Sequence, residues 1–127
     1  SEEFETFGEA PNMPNAFNES LYRTVIEKAK FWGSRDNTMF VVGATKADSL
    51  KQIRKYCPDH FLLVPGVGAQ GGSLEEVAAA GLNSHCGLLV NSSRGIIYAS
   101  HDEKFASAAG KAASEMAKQM KALMKKI

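Results

Sequence analysis

The 127-residue sequence has few cysteines and almost no net charge. Cys57 and Cys86 form neither a CxxC pair nor a Cys/His cluster, which excludes a disulfide framework and a zinc site of familiar spacing. Fifteen basic residues balance fourteen acidic ones, for a net charge of +1, so charge gives no reason to expect a nucleic acid or an anionic membrane as partner. No apolar run approaches the roughly 18 residues of a membrane span, and no signal peptide is recognisable. Together these absences favour a globular protein of the reducing cytoplasm.

The length allows one domain at most. Residues 1–19 are rich in acids and asparagine, contain Pro11 and Pro14, and show no periodicity, so we expect a loop there. Residues 20–127 then alternate between helical patterns and short apolar runs. The predicted elements are, in order, a helix at 20–33, a strand at 39–43, a helix at 47–56, a strand at 61–64, a helix at 73–80, a strand at 87–90 and a helix at 103–126.

Several residues support these boundaries and faces. In the first helix the apolar positions are Leu21, Val25, Ala29 and Trp32, which predict its buried face. In the second, Leu50, Ile53 and Arg54 share one face. Ser73, followed three residues later by Glu76, is typical of a capped helix start. The apolar stretch IIYAS continues beyond the third strand to Ser100, and the last helix carries an apolar stripe from Phe105 to Ile127 that includes Met116 and Met120.

Each predicted strand is continuously apolar, which is typical of a strand buried on both faces of a parallel α/β sheet. Three strands are few, because a complete doubly wound domain of this length normally has about five or six. We therefore expect residues 1–127 to be a single incomplete domain. Another chain would complete the sheet, or the sequence is the end of a larger barrel.

The residues that follow the strands are candidates for a phosphate site, because ligands bind at the carboxyl ends of parallel strands. Glycines allow the backbone to approach a ligand closely, and Arg94 supplies a fork-shaped cation. Gln70 adds an amide donor. The alternatives are that the glycine-rich loop is only a tight connection and that Arg94 forms a surface ion pair. The three groups are Gly43, Ala44 and Thr45; Pro65, Gly66, Gly68, Gln70, Gly71 and Gly72; and Asn91, Ser92, Ser93, Arg94 and Gly95.

Two strings, VVGATKADSLKQIRKYCPDHFLLVPGVGAQGG and GLLVNSSRGIIYAS, closely resemble the carboxyl-terminal part of orotidine 5′-phosphate decarboxylase of the bacterial and archaeal kind. The resemblance implies a (β/α)8 TIM barrel, with the three strands as strands 6 to 8. It also implies cofactor-free conversion of orotidine monophosphate (OMP) to UMP and CO2 by a cytoplasmic homodimer. Gln70 and Arg94 match the family's phosphate ligands. Gly95, Gly71 and Gly72 would complete the phosphate site, Pro65 and Gly66 would line the pocket, and Thr45 corresponds more weakly to a pocket residue.

One departure concerns catalysis. The family's Asp-x-Lys-x-x-Asp motif does not occur in the sequence, and Asp102, Glu103 and Lys104 do not match it. We therefore expect no catalytic residue in this chain, and we expect the amino-terminal half of the barrel to be required. Two other hypotheses remain at this point. One is another phosphate-binding barrel enzyme, such as a sugar-phosphate decarboxylase or aldolase; the other is a non-catalytic α/β module that binds a nucleotide phosphate.

Overall fold

The computed structural model describes residues 21–44, 47–68 and 72–126, so the loop predicted at 1–19 lies outside the described residues. The described helices and strands follow the predicted order, with one additional short helix after the third strand. The helices are α1 (Leu21–Trp32), α2 (Ala47–Tyr56), α3 (Leu74–Gly81), α4 (Arg94–Ile97) and α5 (Phe105–Met124). The strands are β1 (Phe40–Val41), β2 (Leu62–Pro65) and β3 (Leu88–Asn91).

The three strands form one parallel sheet in the order β1-β2-β3. Parallel pairing aligns equivalent residues across the sheet. One row contains Phe40, Leu62 and Leu88, and the next contains Val41, Leu63 and Leu89. The last row pairs Pro65 with Asn91. Because all strands point the same way, the loops that follow β2 and β3 leave from the same edge of the sheet.

The sheet is buried on one face only, so the prediction of strands buried on both faces was wrong. Leu62 and Val64 are fully buried among apolar side chains from the helices. On the opposite face Val41 is 69% exposed and Leu89 is 46% exposed. The reason is the side-chain period of two, which sends alternate residues to opposite faces. Within the described residues, the helices cover the face of Leu62, whereas the face of Val41 is left open.

The buried face of α1 also differs from the prediction. Val25 and Trp32 are 53% and 75% exposed, whereas Ile26 is buried and Tyr22 packs against the core. The helix is oriented by contacts with α2: the Tyr22 and Tyr56 rings are 6.4 Å apart, and Lys30 Nζ donates to the Tyr56 carbonyl at 2.7 Å. These tertiary contacts, rather than the apolar count, decide which side of the helix is buried.

Arg54 of α2 is buried at the amino-terminal end of the sheet and donates only to backbone carbonyls. Its Nε bonds Gly81 O at 2.8 Å, and its NH2 group bonds Gly87 O at 2.8 Å. Its NH1 group bonds the carbonyls of Cys57, Pro58 and His60 at 2.9, 3.2 and 2.7 Å. Burial lowers the pKa of Arg54 from its ordinary value, with a smaller opposing effect of nearby Cys57 and Asp59. One side chain thus ties the ends of α2 and α3 to the starts of β2 and β3.

The last third of the chain holds a turn of helix that the sequence did not predict. The apolar stretch IIYAS does not extend the strand: α4 spans Arg94–Ile97, and Ile97 and Tyr98 are 60% and 61% exposed. In α5, Met116 and Met120 pack against the core, whereas Phe105 is 60% exposed. The predicted start of α3 is confirmed, since Ser73 Oγ accepts from Glu76 N at 3.3 Å. None of the helices in the described ranges is long and apolar enough to cross a membrane.

Candidate anion-binding site

A cavity of about 230 Å³ lies at the carboxyl ends of β2 and β3. Two loops form it, one after each strand. The described residues that line it are Pro65, Gly66, Val67, Asn91, Ser92, Ser93 and Arg94. A larger groove of about 480 Å³ lies between α3 and α5, and most of the described residues that line it are apolar. The smaller cavity is therefore where the α/β architecture places a ligand.

The loop after β2 folds back on itself through glycine geometry. Gly66 and Gly68 have φ values of 90° and 82°, which a residue with a side chain adopts only at a cost. Gly68 N donates to Gly72 O at 2.9 Å, closing the loop at its base. A Cβ at Gly72 would lie 2.6 Å from the Ala44 Cβ. Gly72 is thus required where this loop packs on the end of β1.

The loop after β3 turns directly into α4. Ser93 O accepts from Ile96 N at 3.2 Å and from Ile97 N at 2.8 Å, which forms the single turn. Ser92 is buried, and its Oγ lies 2.8 Å from the position that a Cβ of Gly95 would occupy. Glycine at 95 therefore allows the first turn of α4 to sit against Ser92.

Arg94 is the charged residue among those that line the cavity, and its side chain is exposed. In the described part of the chain no hydrogen bond or ion pair engages its guanidinium. No carboxylate is among the described residues that line the cavity, so these residues combine a cation with neutral donors. Such a set of groups favours an anion with several acceptor oxygens. Across the described ranges, no group of three His, Cys, Asp or Glu residues could hold a metal ion.

The structure brings together Pro65, Gly66 and Arg94, as the sequence predicts for two neighbouring loops. Gly95 follows directly, and Gly72 lies at the base of the first loop. Thr45, Gln70 and Gly71 lie outside the described residues. Sequence reasoning noted Asn91, Ser92 and Ser93 at a strand end but gave them no role, and it did not select Val67. Their position in the same short string as Arg94 was the available signal.

Asp102 is accounted for by the turn that precedes α5. Its carboxylate accepts from Ser100 Oγ at 2.6 Å and from Lys104 N at 2.8 Å. These hydrogen bonds, that from Ser100 first, lower the pKa of Asp102 from its ordinary value. The side chain is exposed, and these contacts are local to the turn.

The fold and the cavity define this chain as part of a parallel α/β protein with a cavity at the carboxyl ends of its strands. Comparisons with known proteins identify which α/β fold it belongs to. The chain is 53% identical over 113 residues to orotidine 5′-phosphate decarboxylase of Bacteroides fragilis, and 56% identical over 108 residues to that of Porphyromonas gingivalis. These matches cover 89% and 85% of this chain. The chain spans only 41% and 39% of the relatives' lengths.

Solved structures agree. The structure of Leishmania donovani OMP decarboxylase superimposes with a TM-score of 0.69 at 30% identity, covering 94% of this chain and 43% of that one. The structure of a putative orotidine-monophosphate decarboxylase of Toxoplasma gondii superimposes with a TM-score of 0.64 at 30% identity, covering 98% of this chain and 47% of that one. No protein-family model matches. The chain is homologous, over most of its length, to part of the orotidine 5′-phosphate decarboxylases, which confirms the resemblance noted in its sequence and the expected barrel fold.

Proposed function

We propose that this chain supplies the phosphate-binding part of an orotidine 5′-phosphate decarboxylase, with the three strands as strands 6 to 8 of its barrel. The observation that carries the proposal is the identity of 53–56% to enzymes of that name over more than four fifths of the chain. The cavity between the two loops supports it, because an exposed guanidinium beside neutral polar side chains suits a phosphate dianion.

In the proposed reaction OMP loses CO2 and becomes UMP. The bond between the pyrimidine carbon and its carboxylate carbon breaks, the electron pair stays on the ring carbon, and that carbon takes a proton. Such chemistry needs a cation and an acid held at the ring. The Asp-x-Lys-x-x-Asp motif that the family uses there does not occur in these 127 residues. We propose that the reacting groups come from another part of the barrel and that no cofactor takes part.

The phosphate is remote from the bond that breaks, yet its binding energy lowers the barrier if it holds the ring in place and helps to close the site. Arg94 is the described side chain best suited to this task. Gln70, Gly71 and the backbone amide of Gly95 remain proposed phosphate ligands, and Thr45 remains a proposed pocket residue. The partner we propose is the nucleotide itself, with two copies of the enzyme forming a homodimer in the cytoplasm.

The test is decarboxylation of OMP by the complete barrel, in which this chain is joined by the part that supplies the reacting groups, with and without Arg94→Ala. We expect the variant to lose several kcal/mol of transition-state stabilisation, roughly a hundredfold or more in kcat/KM, as for a charge-assisted contact in a closed site. Arg35→Ala is the matched control. Arg35 is exposed in the turn before β1, 3.8 Å from Asp36, and its removal is expected to leave kcat/KM unchanged.

Ligand binding gives a second readout. A ligand that binds only the folded state raises the melting temperature, by the equivalent of about 2.7 kcal/mol at a hundred times its Kd. We expect UMP to stabilise the protein and uridine, which lacks the phosphate, to do so much less. A loss below about tenfold in kcat/KM for Arg94→Ala would contradict the role of Arg94. Failure of the complete barrel to convert OMP or to bind UMP would contradict the proposed function.

A further inference from the structure

Asn91 is the last residue of β3 and has no assigned role in the site described above. It pairs with Pro65 in the last row of the sheet. Residues two apart on a strand point to the same face, and Leu89, two residues earlier, points to the open face and is 46% exposed. The carboxamide of Asn91 therefore projects from the open face at the carboxyl edge of the sheet, where it lines the same cavity as Arg94.

The contacts of Asn91 leave its amino group available. Ser93 Oγ approaches Asn91 Oδ1 at 3.5 Å, which is the long limit of a hydrogen bond. Among the described residues no acceptor engages the Asn91 amino group. A carboxamide carries two N–H donors, so Asn91 adds neutral donors beside the guanidinium of Arg94. The described residues that line this cavity include no carboxylate.

We propose that the Asn91 amino group donates a hydrogen bond to an oxygen of the anion bound by Arg94, and so selects a phosphate dianion at the edge of the open sheet face. The inference rests on the proposed function, since it names a further ligand of the same phosphate. The proposed contact also predicts that a negative charge at position 91 weakens binding of the anion more than loss of the side chain does, because a carboxylate there faces the dianion at short range.

Two substitutions test this, with UMP and inorganic phosphate as probes in equilibrium binding. Asn91→Ala removes one neutral hydrogen bond and is expected to weaken UMP binding about fivefold. Asn91→Asp keeps the shape of the side chain and adds a negative charge, and this substitution is expected to weaken UMP binding at least about thirtyfold. The loss for Asn91→Asp should grow between pH 5 and 7.5, as the phosphate monoester gains its second charge near pH 6. Uridine binding should be unaffected by that charge.

Asn37→Asp is the matched control for the added charge. Asn37 lies in the turn before β1, at the other end of the sheet, where its Oδ1 accepts from Ser34 N at 2.7 Å. Aspartate keeps that acceptor, so the variant is expected to fold and to bind UMP as the parent does. At physiological salt, interactions between exposed charges are screened over about 8 Å, which limits any effect of the added charge on an anion in the cavity. Urea unfolding of each variant checks that the native state is retained.

The outcomes separate the two proposals. Parent protein that binds UMP, with Asn91→Asp binding no worse than Asn91→Ala, overturns the role of Asn91 and leaves the proposed function in place. Parent protein that binds inorganic phosphate but not UMP contradicts the proposed function, and Asn91 is then judged by the same two substitutions with phosphate. Parent protein that binds neither probe overturns both.

Discussion

Replacing Arg54 with methionine should destabilise the protein by about 3–5 kcal/mol, the range for breaking a buried charged network. The five N–H···O contacts of Arg54 span 2.7 to 3.2 Å. Methionine retains much of the apolar stem but orphans buried carbonyl groups, each of which costs about 1–3 kcal/mol when it finds no water. The sum is less than additive because three of the carbonyls share one NH1 group. A typical domain is stable by only about 5–15 kcal/mol in total.

The assay is urea unfolding followed by circular dichroism. We expect the urea concentration at the unfolding midpoint to fall. The dependence of the unfolding free energy on urea concentration should stay constant, since the same surface is exposed on unfolding. Arg54→Lys should fall between the parent and Arg54→Met, because three ammonium donors cannot reproduce the planar fork. The control Arg35→Met, at an exposed site, should stay within about 0.5 kcal/mol of the parent. A loss below about 1 kcal/mol for Arg54→Met would refute the reasoning. The Kd for UMP of the folded variant should not change, because Arg54 lies at the opposite end of the strands from the cavity.

Three further predictions concern the scaffold. His60 is buried, with both ring nitrogens unpaired among the described residues. Burial is the main cause that lowers the pKa of His60, and the positive charges of Lys30 and Arg54 lower it further. The negative charge of Asp59 raises it by less. The contribution of His60 to the free energy of unfolding should therefore be complete above about pH 6.5 and should be lost as the pH falls toward the pKa of the folded state. In urea titrations at several pH values, His60→Leu should remove this part of the dependence of the unfolding free energy on pH. Cys86 has a φ of 73°, so Cys86→Gly should be tolerated in thermal unfolding and Cys86→Val should lower the melting temperature by several degrees. Gly72→Ala should weaken UMP binding and lower the melting temperature, because its Cβ would lie 2.6 Å from that of Ala44; an unchanged Kd would show that the loop can shift.

The order of helices and strands could be predicted from sequence because capping, glycine stops and apolar runs are local signals. Ser73 begins its helix as predicted. Faces were harder to predict, because they depend on what packs against the element. Val25 fits an apolar stripe but is exposed, since the contacts of Tyr22 with α2 turn that side of the helix outward. Leu89 is exposed because the described helices cover only the other face of the sheet.

The candidate site could be predicted in outline for a geometric reason. Parallel strands end at one edge, so the loops after β2 and β3 had to be neighbours, and Pro65, Gly66 and Arg94 line one cavity. The side-chain direction of Asn91 could not be predicted in the same way. It depends on the register that pairs Asn91 with Pro65 and on which sheet face is open, and both are tertiary properties. The proposed role of Gln70 stays a prediction.

Arg54 and Arg94 show how environment decides the role of one chemical group. Arg54 lies at the amino-terminal end of the sheet, and its donors engage five backbone carbonyls, so it has little capacity left for a ligand. Arg94 lies at the carboxyl-terminal end, where no described carbonyl or carboxylate group is bonded to its guanidinium. A buried cation must be satisfied by the protein, whereas an exposed one beside a cavity can be satisfied by an anion that arrives and leaves. The two substitutions should therefore have different effects. Arg54→Met should lower the free energy of unfolding and leave the Kd for UMP unaltered, whereas Arg94→Ala should raise the Kd for UMP and leave the free energy of unfolding unaltered. A variant of Arg94 that lost stability without losing UMP binding would show that this assignment of roles is wrong.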